Sequence, residues 1–361
     1  MKLNQVFKNK KILITGHTGF KGSWLTLWFI SLGAKVIGVS NNISSSPSHY
    51  KLLNLEKKII NKKLDIRNLN KLKNLINKSQ PNYIFHLAAQ AIVKKSYDNP
   101  LDTWSTNTLG TINILESLKF IKKKCVIVLI TSDKCYKNLE IKRGYHENDK
   151  LGGDDPYSAS KASADIAIQS YIKSFYFNKN KLLIATARAG NVIGGGDWSL
   201  NRLIPDCVRS WSQKKKVLIR NPYSTRPWQH VLEAIYGYII LAVNLNKNRN
   251  LHGEIFNFGP SNTKAYNVIS VVKLMKSYWQ NVSWHLSKEN NKFYKESALL
   301  KLNSKKAKRK LNWKPVLTFK ENIFFVADWY KNFYLNPKEI YNLTLNQIQR
   351  YQEILKLRRA K

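Results

Sequence analysis

Cysteine is scarce in this sequence. The 361 residues include three, Cys125, Cys135 and Cys207. Three cysteines are too few and too irregularly spaced for a disulfide framework or a zinc site. We therefore expect reduced thiols and no bound metal.

Long apolar runs are also missing. A membrane-spanning helix needs about 18 or more consecutive apolar residues, and no run approaches that length. Residues 1–11 are polar and lack the apolar region of a signal peptide. Internal repeats and low-complexity segments do not occur. We expect a cytoplasmic globular protein without a membrane partner.

Acidic residues are few relative to basic ones. Asp and Glu total 22 and Lys and Arg total 61, so the formal net charge is +39. Such a charge is typical of proteins that bind nucleic acids or anionic surfaces. Here the cations are spread in short runs among many Asn and Ile residues, without a nucleic-acid motif, which favours a coding bias. We expect no nucleic-acid partner, although the charge favours anionic ligands in any cleft.

The chain does contain a regular alternation of apolar strands and helices. This pattern predicts an α/β fold, a Rossmann-type doubly wound parallel sheet with right-handed crossovers. The predicted strands are 11–15, 34–39, 62–64, 83–88, 125–130 and 182–187, and the predicted helices between them end near 32 or span 68–78, 100–122 and 157–177.

Three parts are predicted along the chain. Residues 1–190 carry the sheet, 191–335 form a smaller C-terminal substrate-binding lobe interleaved with it, and 336–361 form a helical tail. In the lobe we expect helices near 202–213, 232–245 and 267–279 and short strands near 217–219 and 254–258. Apolar residues at helical spacing favour docking of the tail on the body or on a partner, and a frayed end is the alternative.

Three glycines separate the first strand from the first helix. Gly16, Gly19 and Gly22 allow a tight turn, close approach of the backbone to a pyrophosphate and close packing of helix on strand. The pyrophosphate then lies at the helix N-terminus, where free N–H groups favour an anion. Within a βαβ unit, this spacing predicts dinucleotide binding.

The second strand ends without the acidic residue that usually binds the adenosine ribose. Ser40, Asn41 and Asn42 stand there instead. Because Asn can bind a hydroxyl, NAD is the expected cofactor, while the missing carboxylate leaves NADP open, with Lys51 as one possible partner of its 2′-phosphate. Asp65, followed by Ile66, could meet the adenine edge or could cap the next helix.

A possible proton-transfer site follows the strand at 125–130. Tyr157 and Lys161 are four residues apart and share one face of a predicted helix. The ammonium should lower the pKa of the phenol. Ser132 could complete a relay of hydroxyl, phenol and ammonium. An exposed Tyr–Lys pair without function is the alternative.

Several segments together resemble one known family. The chain resembles the extended short-chain dehydrogenases/reductases, and among them the 4,6-dehydratases of nucleotide sugars. The match covers roughly residues 10 to 330 and departs from the family at the missing acidic ribose residue and in the tail. The matching segments are 15–24, 86–90, 131–136, 152–153, 156–161, 188–198, 226–233 and 313–315.

The resemblance implies an internal redox cycle on a nucleotide hexose, with CDP-glucose as the implied substrate. Tyr157 would take the proton from the sugar 4-hydroxyl, with Ser132 and Lys161 supporting it. Asp133 would protonate the departing C6 hydroxyl. Lys134, where related dehydratases carry Glu, would assist removal of the C5 proton, or else form a structural ion pair.

The resemblance also implies two sets of ligand-binding residues. Arg202 and His230 could instead be ordinary surface or core residues, and Asn107 could belong to a polar helix face. The cofactor set is Gly16, Thr18, Gly19, Phe20, Gly22, Asp65, Ile66, Leu87, Ala88, Ala89, Gln90, Asn107, Tyr157 and Lys161. The substrate set is Asn191, Arg202, Arg226 and His230.

Two other functions remain open. A nucleotide-sugar 4-epimerase would need Tyr157 and Lys161 but no acid for the C6 hydroxyl, so Asp133 and Lys134 argue against it. A non-catalytic, cation-rich binding protein would need none of these residues.

The expected oligomeric state is a homodimer or homotetramer. It would form by pairing of helices 100–122 and 157–177 across a two-fold axis.

Overall fold

A parallel sheet forms the centre of the protein, whose computed structural model describes residues 3–260, 266–280, 282–286 and 299–359. Thirteen strands lie in these ranges, and seven of them build the central sheet. They are β1 (Lys11–Thr15), β2 (Lys35–Ser40), β3 (Ile60–Lys63), β4 (Tyr83–His86), β5 (Cys125–Ile130), β6 (Leu182–Ala189), β7 (Val192–Ile193), β8 (Val217–Ile219), β9 (Thr225–Arg226), β10 (Gln229–His230), β11 (Ile255–Phe258), β12 (Tyr266–Asn267) and β13 (Trp284–Leu286).

The central sheet is doubly wound. Its strand order is β11-β6-β5-β4-β1-β2-β3, and every pair is parallel. All six residues of β5 are buried, as expected for a strand covered on both faces. The order reverses next to β1, so the crevice for a ligand lies at the carboxyl ends of β1 and β4. The predicted fold class is confirmed.

Helices cover both faces of this sheet. Those of the described ranges are α1 (Leu3–Phe7), α2 (Phe20–Ser31), α3 (His49–Leu52), α4 (Leu69–Ser79), α5 (Val93–Asp98), α6 (Pro100–Trp104), α7 (Gly110–Ser117), α8 (Pro156–Tyr171), α9 (Leu203–Ser212), α10 (Val231–Lys247), α11 (Val268–Met275), α12 (Lys305–Leu311), α13 (Phe319–Leu335) and α14 (Ile340–Arg359). None of them combines the length and the apolar composition needed to cross a membrane.

Two long predicted helices are interrupted. The segment predicted at 100–122 consists of α6, a π-helical turn at Ser105–Leu109 and α7. Similarly, α8 continues into a π-helical turn at Ile172–Tyr176. A π-helical turn leaves the apolar periodicity largely intact, so the sequence pattern does not reveal it.

The later part of the chain returns to the sheet. The strand β11, predicted for the smaller lobe, instead forms the edge of the central sheet beside β6, from Ile255 opposite Thr186 to Phe258 opposite Ala189. The tail forms α14, which packs on the body through buried Ile340, Ile348 and Tyr351.

Candidate active site

The glycine turn after β1 is tightly packed. Gly16 has a φ of 75°, and a Cβ atom there would lie 2.7 Å from the backbone nitrogen of Ala88. At Gly22 a Cβ atom would lie 2.1 Å from the Gly16 carbonyl oxygen. Gly19 is the N-cap of α2, and no side chain caps this end. The first N–H groups of the helix can therefore receive an anion.

The neighbouring strand ends are tied to this turn. The Thr15 carbonyl oxygen accepts from the Leu87 N–H at 3.1 Å, and Thr15 Oγ1 accepts from the Ala88 N–H at 3.2 Å. Thr18 Oγ1 lies 2.8 Å from Ser40 Oγ, which joins the turn to the end of β2. These contacts bring four of the predicted cofactor residues, Gly16, Thr18, Leu87 and Ala88, to one edge of the sheet.

Asn107 connects two segments on the other side of this sheet edge. Its Oδ1 accepts from the Gln90 N–H at 2.8 Å, and its Nδ2 donates to Ser160 Oγ at 2.9 Å. The side chain is almost fully buried. Asn107 thereby joins the segment after β4 to α8, next to Lys161.

A carboxylate does approach the end of β2, although it comes from another strand. Asn41 Nδ2 donates to Asp65 Oδ2 at 3.2 Å, which places the acid beside the expected ribose position. Asp65 does not cap α4, because Asn68 accepts from the Lys71 N–H and occupies that role. Arg67 pairs with both Asp65 and Asp102. This arrangement disfavours a 2′-phosphate near Asn41 by charge repulsion.

Ser132, Asp133 and Lys134 form a turn directly after β5. Ser132 Oγ donates to Asp133 Oδ1 at 2.9 Å and accepts from the Lys134 N–H at 3.2 Å. Burial raises the pKa of the Asp133 carboxyl, while Lys134, Ser132 and Lys21 oppose this rise. A carboxyl with a raised pKa holds its proton to higher pH than a free one, which suits it to proton donation.

The backbone at Gly190 lies close to both Asp133 and Pro227. A Cβ atom at Gly190 would lie 3.2 Å from both Asp133 Oδ2 and the Pro227 ring. Pro227 directly follows the predicted substrate ligand Arg226. The later part of the chain therefore closes on the turn after β5 at this point.

Tyr157 and Lys161 lie on the first turns of α8. The Asp155 side chain caps this helix by accepting from the Ser158 N–H at 2.9 Å. Burial raises the pKa of Tyr157 to about 12, and a hydrogen bond from Ser132 opposes the rise. The pKa of the phenol is raised overall, because burial outweighs the lowering by Ser132 and Arg202. Burial and the charge of Lys21 lower the pKa of Lys161 to about 8.

Lys21 is a site residue that sequence reasoning missed. It belongs to the glycine turn at the start of α2 and is half-buried. Burial lowers its pKa to about 8, and the charges of Arg202, Asp133 and Asp197 act on it. The signal in the sequence is a lysine inside the glycine-rich turn 16–22, between Phe20 and Gly22.

A buried network of an ion pair and hydrogen bonds holds the turn after β5 in place. Arg188, on β6, forms an ion pair with Asp165 of α8 at 2.7 Å, and Thr131 Oγ1 donates to the same carboxylate at 2.9 Å. Arg188 also donates to the Tyr136 hydroxyl, which donates to Asn257 Oδ1 at 2.8 Å. Both sides of the segment 131–136 are therefore anchored to β6, α8 and β11.

Three of the predicted substrate residues differ in exposure and in their partners. Asn191 is exposed at the end of β6, and Arg202 forms an ion pair with Asp197 at 2.9 Å. Arg202 also acts electrostatically on Tyr157. Arg226 lies half-buried on β9, where it pairs with Tyr266 of β12.

His230 differs from the expectation of a substrate contact. It is fully buried between Trp24 and Phe325, with ring centroids 5.9 and 5.3 Å away. Its Nδ1 accepts from the Leu232 N–H at the start of α10. Burial lowers the pKa of the imidazole to about 3, so a neutral ring serves as a helix cap in the core.

Comparison with known proteins adds to this geometry. Residues 13–324 match the family described as GDP-mannose 4,6 dehydratase. The chain is 42% identical over 330 residues to a CDP-glucose 4,6-dehydratase of Salmonella typhimurium, and the alignment covers 90% of this chain and 91% of that protein.

Two solved structures share the fold. An epimerase, Mth375, from Methanothermobacter thermautotrophicus superposes with a TM-score of 0.79 at 24% identity, covering 93% of this chain and 96% of that one. A dTDP-glucose 4,6-dehydratase from Bacillus anthracis, solved in complex with NAD, gives a TM-score of 0.74 at 21% identity, with 92% and 99% covered.

Proposed function

Since the chain belongs to the extended short-chain dehydrogenase/reductase family, in the branch described as GDP-mannose 4,6 dehydratase, we propose that it is a hydro-lyase of nucleotide sugars. Its substrate is CDP-glucose, and its products are CDP-4-keto-6-deoxyglucose and water. The substrate follows from the relative with 42% identity along most of both chains. Such a product serves the synthesis of deoxysugars for cell-surface polysaccharides such as the O-antigen of lipopolysaccharide.

The proposed cofactor is NAD. The uncapped N-terminus of α2 and the space left by Gly16, Gly19 and Gly22 suit its pyrophosphate. The carboxylate of Asp65 beside Asn41 favours a free ribose hydroxyl over a 2′-phosphate. When bound, NAD supplies the acceptor that takes hydride from C4 of the sugar and returns it to C6.

The protein's own residues move the protons. Tyr157 removes the proton of the sugar 4-hydroxyl, and Ser132 hydrogen-bonds the phenolic oxygen that receives it. Because burial raises the pKa of Tyr157 to about 12, positive charge at the phenol is needed for this step, and Arg202 contributes some of it. The resulting 4-keto group acidifies the C5 proton, so water can leave across C5 and C6.

The buried carboxyl of Asp133 is the observation that supports a dehydratase most directly. Its carboxyl is buried beside Ser132 with a raised pKa, so it is suited to protonate the departing C6 hydroxyl. A 4-epimerase has no use for such an acid, because it removes no hydroxyl.

Lys134 is the proposed partner of Asp133 in the elimination. It follows Asp133 directly, and its positive charge acts on that carboxyl. We assign the neutral amine of Lys134 to removal of the C5 proton, or its ammonium to stabilisation of the enolate that results. In Lys134→Ala, exchange of the C5 proton with deuterated solvent should be lost, and exchange at the wild-type rate would exclude the role as a base.

The function is tested by incubating the protein with CDP-glucose and NAD. We expect a 4-keto sugar with a new C6 methyl signal in the NMR spectrum. Formation of CDP-galactose would indicate an epimerase, and turnover of another nucleotide sugar alone would refute the substrate.

Asp133→Asn separates the acid from the rest of the site. The amide keeps the size and an acceptor for Ser132 but cannot supply the proton. We expect the methyl signal to appear about a hundredfold more slowly or worse. C5 exchange in the same sample should persist, because Tyr157 and Lys134 remain.

We further propose that the enzyme acts in the cytoplasm as a homodimer or homotetramer. Exposed apolar side chains on α6, the π-helical turn at Ser105–Leu109 and α8 support pairing of these helices across a two-fold axis.

A further inference from the structure

The segment 194–198, here called the substrate loop, is held by α13. Trp329 packs so closely on Gly195 that a Cβ atom there would lie 2.0 Å from the Trp329 ring. The Gly195 carbonyl oxygen accepts from Trp24 Nε1 at 2.9 Å. The Tyr330 hydroxyl donates to the Asp197 carbonyl oxygen at 2.5 Å. The loop is therefore fixed between α2 and α13.

The substrate loop leads directly to the reacting groups. Asp197, which is buried, holds Arg202 through Oδ2 at 2.9 Å and accepts from the Ser199 N–H through Oδ1. The charge of Arg202 in turn lowers the pKa of Tyr157. A contact that fixes the backbone at Asp197 therefore also fixes the Arg202 guanidinium, which faces the cleft.

Two of the side chains that fix the loop, Trp329 and Tyr330, come from beyond the matched family region. That region ends at residue 324, whereas Trp329 and Tyr330 lie in the second half of α13. Thr344 of α14 accepts from Trp329 Nε1 at 2.9 Å. The helix α14 is therefore connected to the substrate loop through Trp329.

We propose that Tyr330 is a positioning residue for the nucleotide-sugar substrate. By holding the Asp197 carbonyl, it keeps Arg202 where the guanidinium can bind a diphosphate oxygen next to Tyr157. This inference rests on the proposed function, because it needs a substrate that carries a diphosphate. Tyr330 itself touches no reacting atom and acts through Asp197 and Arg202.

The test uses Tyr330→Phe with Tyr351→Phe as a matched control. Each variant loses one buried phenolic hydroxyl from the C-terminal helices. The Tyr351 hydroxyl donates to Glu233 Oε2 at 2.7 Å and has no contact with the substrate loop. A general loss of stability should therefore affect both variants, whereas a loss of positioning should affect Tyr330→Phe alone.

We expect Tyr330→Phe to raise the KM for CDP-glucose about fivefold to tenfold, the effect of about one hydrogen bond, and to lower kcat as well, because Arg202 also acts on Tyr157. Its Kd for CDP, measured by calorimetry, should rise by a similar factor. Tyr351→Phe should keep the wild-type KM and Kd. The melting temperature of each variant shows whether it is folded.

An unchanged KM and Kd in folded Tyr330→Phe would overturn the inference, as would equal increases in both variants. If Tyr330→Phe does not fold, Trp329→Phe loosens a second contact between α13 and the substrate loop, the packing on Gly195. A wild-type Kd for CDP in that variant would also overturn the inference, because it would show that the position of the loop does not govern binding. Wild-type protein that binds CDP without turning over CDP-glucose would refute the proposed function, and the CDP measurements would still decide the role of Tyr330.

Discussion

Burial favours the uncharged form of four titratable groups in the site. It raises the pKa of Asp133 and of Tyr157 and lowers the pKa of Lys21 and of Lys161. The charges in the cleft are therefore easily shifted by one another. Lys21 is central here, because it acts on both Asp133 and Lys161.

Removal of the Lys21 charge should shift the pH dependence of catalysis. In Lys21→Met, Lys161 loses a repelling neighbour, so its pKa should rise from about 8, and the pKa of Asp133 should rise as well. Both groups then keep their protons to higher pH. We expect the alkaline limb of kcat/KM to move upward by about half a unit or more.

Lys21→Arg is the control for this shift, because it keeps the charge at nearly the same place. Its pH profile should match that of the wild type. An alkaline limb that stays in place in Lys21→Met would show that Lys21 does not tune these groups.

The spacing of Tyr157 and Lys161 was sufficient to predict that one helix carries both residues, but not the pKa of either side chain. Sequence spacing gives proximity on a helix, whereas the pKa of Tyr157 depends on burial by distant segments. The same limit applies to His230, whose neighbours Trp24 and Phe325 lie far away in the sequence. Lys21 was overlooked because a lysine in the first turn of a helix usually faces solvent.

At the scale of elements, one buried carboxylate joins three parts of the fold. Glu233 of α10 accepts from the Val316 and Leu317 N–H groups at 2.7 Å each, and from the Tyr351 hydroxyl of α14. Burial raises its pKa to about 7, although these hydrogen bonds and Arg359 oppose the rise. The docking of α14 is therefore linked to pH.

The free energy of unfolding should fall as pH rises from about 4.5 to 7. In this range Glu233 keeps its proton in the folded protein and loses it in the unfolded chain, so the folded state binds more protons. The fully buried group should account for about 3 kcal/mol over this range. Urea denaturation at several pH values measures the effect.

Glu233→Gln provides the matched variant, because the amide keeps an acceptor but does not titrate. Its free energy of unfolding should depend less on pH than that of the wild type between pH 5 and 7. Parallel curves for the two proteins would contradict the assignment to Glu233.

Strands were easier to predict than helix boundaries and pairings. The bounds of β1, β5 and β8 agree with their predicted positions, because short apolar runs bounded by polar residues identify them directly. The helix α13 was not predicted, although its buried residues Ile323, Val326 and Tyr330 recur at helical spacing after the capping box of Thr318 and Glu321. The pairing of β11 with β6 joins segments about 70 residues apart, which local patterns do not encode.

At the scale of the molecule, one apolar surface stands out on a strongly basic protein. Leu101 is 78% exposed, Leu109 55% and Ile166 56%, and all three lie on α6, the π-helical turn at Ser105–Leu109 or α8. Apolar side chains on neighbouring helices are typical of an interface between subunits.

Replacing Leu109 and Ile166 together by Lys should give a monomer. Charged residues at the centre of an interface cannot be desolvated without a partner, so association should be lost. Light scattering coupled to gel filtration measures the mass. Leu357→Lys, at a 69% exposed site on α14, is the control and should keep the wild-type mass.

The position of β11 has a consequence for how the protein is made. Until residues 255–258 leave the ribosome, β6 is an open sheet edge, and Asn257 is not yet present to receive the Tyr136 hydroxyl. The turn that carries Ser132 and Asp133 therefore lacks its anchor on β11 until residue 257 has been made. The nascent chain exposes an unpaired apolar edge during that time, which is the kind of surface that chaperones cover.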